Sequence, residues 1–436
     1  MRSIVYTLTQ RGSIRFWLVV VLTGLGTGLC AAALIRLLYL VQHTVWPGKG
    51  DDMLAAAASA PGWWHVVVLL GAGLLTGAGQ LLLARLPGGS GIDILAAIWF
   101  HAGRLPVLRT LGSAVLSTVV VGMGATLGRE GAPKQAGAVV AHMLAEQARF
   151  SDDTRRLLVA CGGGAGLAAA YGVPLGGALF ALEVLRGELA LRFVLPALVT
   201  SLIATDVSWI FLLDAPTYLI PTYPGSISSA AWALVAGPII GITSVIYVRG
   251  VAWADHHRPK GHWRIVAPIL ALTLLGIVSI KFPQLLGNGR DVAEQAFTGR
   301  IAPLLLLELA VLKPAAILLL LGSGTPGGLF TPSLAFGALL GGVLGHLWSY
   351  IWPGLPPGVF ALLGAGAMLA STTQGPISSV VLMMELTGQA RASIVPLLLV
   401  VATATLVART IEPRSVYDAR LSDAELRKRL NQRDAS

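Results

Sequence analysis

Gly128-Arg129-Glu130-Gly131-Ala132-Pro133 places charge where the surrounding chain carries none. No ionisable side chain occurs from Thr110 to Gly128, and then an arginine and a glutamate stand side by side between glycines. Ionisable residues at membrane depth are costly, so they face protein or water cavities and mark function. Glycine flanks let the backbone turn sharply and approach a ligand. A glycine-rich break followed by renewed helix also aims free N–H groups at one spot, which suits an anion. Glu130 brings a carboxylate to that spot. It can fill the anion site when ionised and leave it when protonated, so Glu130 is a candidate gate.

Working outward, composition says what kind of chain surrounds this break. At 55% hydrophobic and 12% charged over 436 residues, there is too little polar surface for a soluble globule. The 52 glycines fall inside apolar runs, which fits packed transmembrane helices. A net charge of +10 raises the question of nucleic acid, but the basic residues lie at the chain ends and in loops, as the positive-inside rule requires. No nucleic-acid partner, cofactor or metal is expected. Cys30 and Cys161 lie in apolar segments without metal-ligand spacing and read as packing residues. The basic stretch from Asp255 to Arg264 contains His256, His257 and His262, and reads as a cytoplasmic loop.

The expected architecture is an all-α polytopic membrane protein. After Arg2, Arg11 and Arg15, the uncharged run Phe16–Ile35 reads as a first membrane helix entered from the cytoplasm. Further spans are expected near Trp63–Ala84, Thr110–Leu127, Leu157–Ala170, Phe193–Thr205, Ala231–Val248, Ile265–Ile280 and Pro303–Leu321. Ile94–Phe100 is too short to cross, and the run Pro314–Met384 lacks Asp, Glu, Lys and Arg but is punctuated by Gly and Pro. Broken helices beside full ones are how transporters and channels build a midplane site. The basic tail 412–436 is expected in the cytoplasm, with no regulatory domain after it.

An internal repeat divides the chain. Gly162, Gly164, Ala165, Leu167, Ala168, Pro174 and Glu183 recur 202 positions later as Gly364, Gly366, Ala367, Leu369, Ala370, Pro376 and Glu385. Two halves are expected, 16–213 and 231–411, with Glu183 and Glu385 in equivalent packing or hydrogen-bonding roles.

Three more polar breaks accompany Glu130. Gly88-Gly89-Ser90-Gly91-Ile92 offers a hydroxyl and free N–H donors, and Gly322–Pro332 does the same before a helix expected to start near Ser333. Tyr417 offers a phenolic hydroxyl after the last apolar run. Donors without fixed positive charge can hold a dehydrated anion and still release it. Singly, Ser90 also reads as a helix cap and Tyr417 as an interfacial aromatic.

Together these stretches resemble the CLC family of chloride channels and chloride/proton antiporters, whose patterns GSGIP, GREGP and GxFxP stand here as Gly89–Asp93, Gly128–Ala132 and Gly328–Pro332. The resemblance covers nearly the whole chain. It implies a CLC-type homodimer with two inverted repeat halves of tilted and broken helices, in a bacterial inner membrane, with both termini cytoplasmic. It also implies that Ser90 and Tyr417 hold chloride by their hydroxyls, Leu329 and Phe330 by their amides, and that Glu130 is the gating carboxylate.

Departures from the pattern carry information as well. Asp93 and Ala132 replace family prolines, and Lys134 stands where an apolar residue is usual. Lys134 has two readings: it stabilises ionised Glu130 or attracts anions, or its stem packs while its ammonium snorkels to water. Val184 occupies the position where antiporters of the family carry a proton-transfer glutamate, and Glu183, one helical residue away, points elsewhere. The sequence therefore favours a channel-like chloride pore, with a chloride/proton antiporter using another internal route as the alternative. A fluoride exporter is disfavoured by Ser90. No His-Glu-x-x-His, nucleophile turn or phosphate loop appears, so an enzyme is not expected.

Overall fold

The computed structural model describes residues 11–46, 48, 53–86, 93–223, 225–389, 393–421, 425 and 427. The first part of the chain forms α1 (Arg11–Val45), α2 (Met53–Ser59), α3 (Gly62–Ala84), α4 (Ile94–Phe100), α5 (Val107–Gly122), α6 (Gly131–Gln147), α7 (Asp152–Tyr171), α8 (Pro174–Phe180) and α9 (Leu191–Trp209). The second part forms α10 (Ile227–His256), α11 (Trp263–Ser279), α12 (Arg290–Phe297), α13 (Pro303–Ser323), α14 (Phe330–Ile351), α15 (Pro357–Thr373), α16 (Pro376–Thr387) and α17 (Ile394–Ile411). Among the described residues, seven helices are long and apolar enough to cross a membrane: α1, α3, α9, α10, α13, α14 and α17. The outer faces of α1, α3, α10 and α13 present Leu18, Leu74, Ile246 and Val311, all more than a third exposed. That surface suits lipid, because nothing polar covers it.

Several helix boundaries differ from the sequence expectation, each for a local reason. The span expected at Thr110–Leu127 ends at Gly122, because Gly124 adopts φ 116°, a conformation glycine alone reaches easily. The residues that follow are thereby freed to form the turn that carries Glu130. The helix expected near Ser333 begins at Phe330, with Leu329 as its N-cap, so the helix start falls inside the glycine-rich motif. The apolar run after Pro174 passes from α8 into a π-helical turn at Ala181–Arg186, which shifts the register of Glu183 and Val184.

The helices that surround the chain's centre pack through glycine. A Cβ on Gly162 of α7 would collide with the Gly137 carbonyl of α6, and one on Gly337 of α14 would collide with the Gly364 carbonyl of α15. Small residues at such crossings bring backbones together and so raise dispersion contact where the hydrophobic effect offers no drive. The two crossings are counterparts: α6 and α7 repeat as α14 and α15.

The repeat is locked by an exchange of carboxylates. Glu385 at the end of α16 accepts hydrogen bonds from the amides of Leu175 (3.0 Å) and Gly176 (2.6 Å) at the start of α8. Glu183 after α8 accepts from Ile377 (3.1 Å) and Ser378 (2.6 Å) at the start of α16. Each acid thus satisfies the orphan donors and the positive dipole end of the other's helix. The equivalent hydrogen-bonding roles expected for Glu183 and Glu385 are what the structure holds.

Glu385→Ala removes both acceptors from Leu175 and Gly176. Charge-assisted bonds of this kind contribute about 1.5–3 kcal/mol each, so the variant should melt at a clearly lower temperature in detergent. Glu385→Gln should fall between, and an unchanged midpoint in both would contradict the cross-capping role.

Candidate functional site

Two glycine turns meet at the centre of the molecule. Gly128 and Gly328 exchange both backbone hydrogen bonds, Gly128 N to Gly328 O and Gly328 N to Gly128 O, each 2.8 Å. This pair is the one β-bridge among the described residues. It fixes the start of α6 against the start of α14. A Cβ on either glycine would overlap the Glu130 carboxylate, so both must be glycine for the acid to sit between them.

Glu130 is fully buried. Its Oε1 accepts a hydrogen bond from the Phe330 amide at 2.8 Å, the first residue of α14. Its Oε2 accepts from Thr331 Oγ1 at 3.0 Å and from Tyr171 Oη at 3.2 Å. The hydroxyl oxygens of Tyr171 and Thr331 also lie in close contact with each other. The carboxylate therefore occupies a ready-made anion seat: a helix N-terminus with two hydroxyls aimed at it. Next to it, Arg129 lies over the Tyr171 ring at 4.8 Å and donates from Nη1 to Tyr39 Oη at 3.2 Å.

A line of aromatic rings leads away from this seat. Tyr171 packs on Phe330 at 6.1 Å, Phe330 on Phe180 at 6.3 Å, and Phe180 on Tyr417 at 5.8 Å, the distances being between ring centroids. At the far end Tyr417, nearly buried, opens the short turn Asp418–Arg420. Lys134, one helical turn along α6 from Glu130, reaches the same place: its Nζ donates to Tyr417 Oη at 3.2 Å and lies over the rings of Tyr417 (4.7 Å) and Phe180 (5.2 Å). Lys134 is 5% exposed, so its ammonium does not snorkel to water.

Of the residues singled out in the sequence, Glu130, Phe330, Leu329, Lys134 and Tyr417 converge on this line. Leu329 is buried, and its carbonyl accepts from Ser333 Oγ at 2.7 Å. Ser90 lies outside the described residues. Val184 is buried in the π-helical turn, while Glu183 beside it is committed to the amides of α16. Sequence reasoning missed Tyr171, Thr331, Phe180 and Tyr39. Two signals were present: Tyr171 is the one aromatic in the Gly/Ala-rich run 162–171, and Thr331 lies inside the motif that supplies Phe330.

A buried carboxylate held on an amide and two hydroxyls, inside a bundle of apolar helices, is the arrangement of an anion-transporting membrane protein. The profile of the voltage gated chloride channel family matches residues 72–409, and the chain belongs to this family. It is 29% identical to an H(+)/Cl(-) exchange transporter ClcA of Vibrio parahaemolyticus over 98% of this chain and 93% of that one. It is 31% identical to a putative chloride channel protein, ClcB-like, of Ralstonia nicotianae over 89% of this chain and 93% of the relative. Among solved structures it resembles a slow cyanobacterial Cl−/H+ antiporter, with TM-score 0.80, 22% identity, and 96% and 99% of the two chains covered. A CLC-type fluoride/proton antiporter superposes with TM-score 0.76 at 21% identity, covering 94% and 99%. The CLC-type fold and chloride transport thus stand together.

Tyr171→Phe deletes one hydroxyl from the carboxylate's seat. A hydrogen bond to a charged acceptor contributes about 1.5 kcal/mol, roughly a tenfold easier departure of Glu130. Chloride flux from liposomes loaded with the variant should rise at neutral pH, and flux at or below the native rate would contradict the clamp.

Proposed function

We propose that the chain exchanges chloride for protons across a bacterial inner membrane, with Glu130 as the group that both ions share. The observation that carries this reading is the sealed seat. With its carboxylate bonded to Phe330, Thr331 and Tyr171 and fully buried, Glu130 closes the seat to an anion. Anions pass only after the acid leaves, and protonation weakens its hold on donors that favour the charged form. A gate that moves a proton each time it yields to an anion is the elementary step of exchange.

The channel-like reading rested on Val184, which cannot carry a proton. That residue bears on one position of the inner route and not on the gate itself. The exchange activity in the names of the Vibrio relative and the cyanobacterial neighbour favours exchange over passive conduction for this chain too. In this reading Phe330, Leu329, Tyr417 and Ser90 hold the anion, both termini lie in the cytoplasm, and the halves 16–213 and 231–411 build one pathway. A homodimer is supported by the apolar residues that α8, α9, α16 and α17 expose around the cross-capped pair, Leu175, Leu195, Ile377 and Leu398 among them.

Purified protein in liposomes tests the exchange. An outward chloride gradient without a pH gradient should drive proton uptake, and Glu130→Gln should abolish that uptake while chloride still moves. A reversal potential fixed at the chloride equilibrium value in the native protein would contradict it.

A further inference from the structure

Two of the chain's unusual residues, Lys134 and Asp93, come together beside α7, where a Cβ on Gly163 would lie 3.8 Å from Ile94, the residue after Asp93, and 4.0 Å from the Lys134 carbonyl. Asp93 caps α4, its Oδ1 accepting from the amides of Leu95 (2.7 Å) and Ala96 (3.2 Å), and it is half-buried. Lys134 is buried with a neutral hydrogen-bond partner, Tyr417 Oη. Among the described residues no carboxylate lies within ion-pair distance of its Nζ. The charges that bear on it are Glu130 on its own helix, Asp93 at the start of α4, and Arg420 in the tail turn. Helices α7 and α8 face it with Gly163, Gly166 and Phe180. Arg420 is itself held by Asp255 at 3.1 Å, which also pairs with Arg258 at 2.6 Å.

We propose that Lys134 carries protons between Glu130 and the tail-side face, with Asp93 linking it to water, in place of the acid absent at Val184. The inference rests on the exchange reading above. Glu130 and Lys134 are four residues apart where α6 begins, so both project to one face of the helix. When the carboxylate leaves the start of α14, it can turn along that face toward Tyr417. An N–H bond of the Lys134 ammonium then breaks as an O–H bond forms on Glu130. The neutral amine regains its proton from water at Asp93, so one proton crosses and nothing is oxidised. Lysine suits the task because a buried ammonium, unlike a guanidinium, can give up its proton. Val184 and Glu183 are excluded from this route, the first by chemistry and the second by its bonds to α16.

Proton and chloride movement are measured on the same liposomes for the native chain, Lys134→Arg, Lys134→Gln and Asp93→Asn. Arginine keeps the charge but not the exchangeable proton, and asparagine keeps the cap of α4 but cannot titrate. The proton-to-chloride ratio should fall about a hundredfold in both Lys134 variants, the scale of a lost acid–base group, and several-fold in Asp93→Asn. A native ratio in Lys134→Arg overturns the relay and leaves Lys134 a fixed charge. If the Lys134 variants move no chloride, Asp93→Asn decides alone, and an unaltered proton rate overturns the route. Absence of coupled protons in the native chain fells the exchange reading, and the relay with it.

Discussion

The structure depends on one interaction: a carboxylate of the chain itself fills a buried seat of amide and hydroxyl donors, the seat that the proposed function gives to the transported anion. The start of α14 supplies at Phe330 an amide with no partner inside the helix, and burial makes any such donor costly to leave unfilled. Thr331 and Tyr171 add two hydroxyls to the same point. The chain satisfies the seat with Glu130, and everything nearby is shaped to let it. Gly128 and Gly328 leave room for the carboxylate, and their paired backbone bonds set its distance from α14.

The frame around that seat is a pair of counterparts. The glycine crossing of α6 with α7 repeats as that of α14 with α15, and the two acids Glu183 and Glu385 cap each other's helices. Helix ends brought to the middle of a membrane leave donors that water cannot reach. In this molecule each set is met by a carboxylate, Glu183, Glu385 or Glu130, and in the proposed function only Glu130 is displaced. The difference lies in the surroundings. Glu183 and Glu385 each bind a neighbouring helix start at the repeat interface, whereas Glu130 stands at the end of a line of rings leading to Tyr417.

Much of this was legible in the sequence. The isolated pair Arg129-Glu130, the repeat ending in Glu183 and Glu385, and the motif around Phe330 each followed from residue type and spacing. Tyr171 and Thr331 were not legible, because their contact with Glu130 joins three segments and no local pattern encodes it. Lys134 was legible as an anomaly, but its destination was not: whether a lysine stem ends in water or beneath a tyrosine depends on the packing of α6 against the tail. Val184 bears on less than the channel-like expectation asked of it. A missing acid at one position says that one route is closed, and sequence alone gives no view of the polar groups gathered elsewhere.

The central claim, that Glu130 and a transported anion compete for the same seat, is tested most directly by anomalous diffraction from crystals grown in bromide. At neutral pH the native protein should show no bromide at the Phe330 amide, with the Glu130 carboxylate there instead. Crystals of Glu130→Gln should show bromide within hydrogen-bonding distance of that amide. Bromide at Phe330 beside an undisplaced Glu130 carboxylate in the native protein would contradict the account.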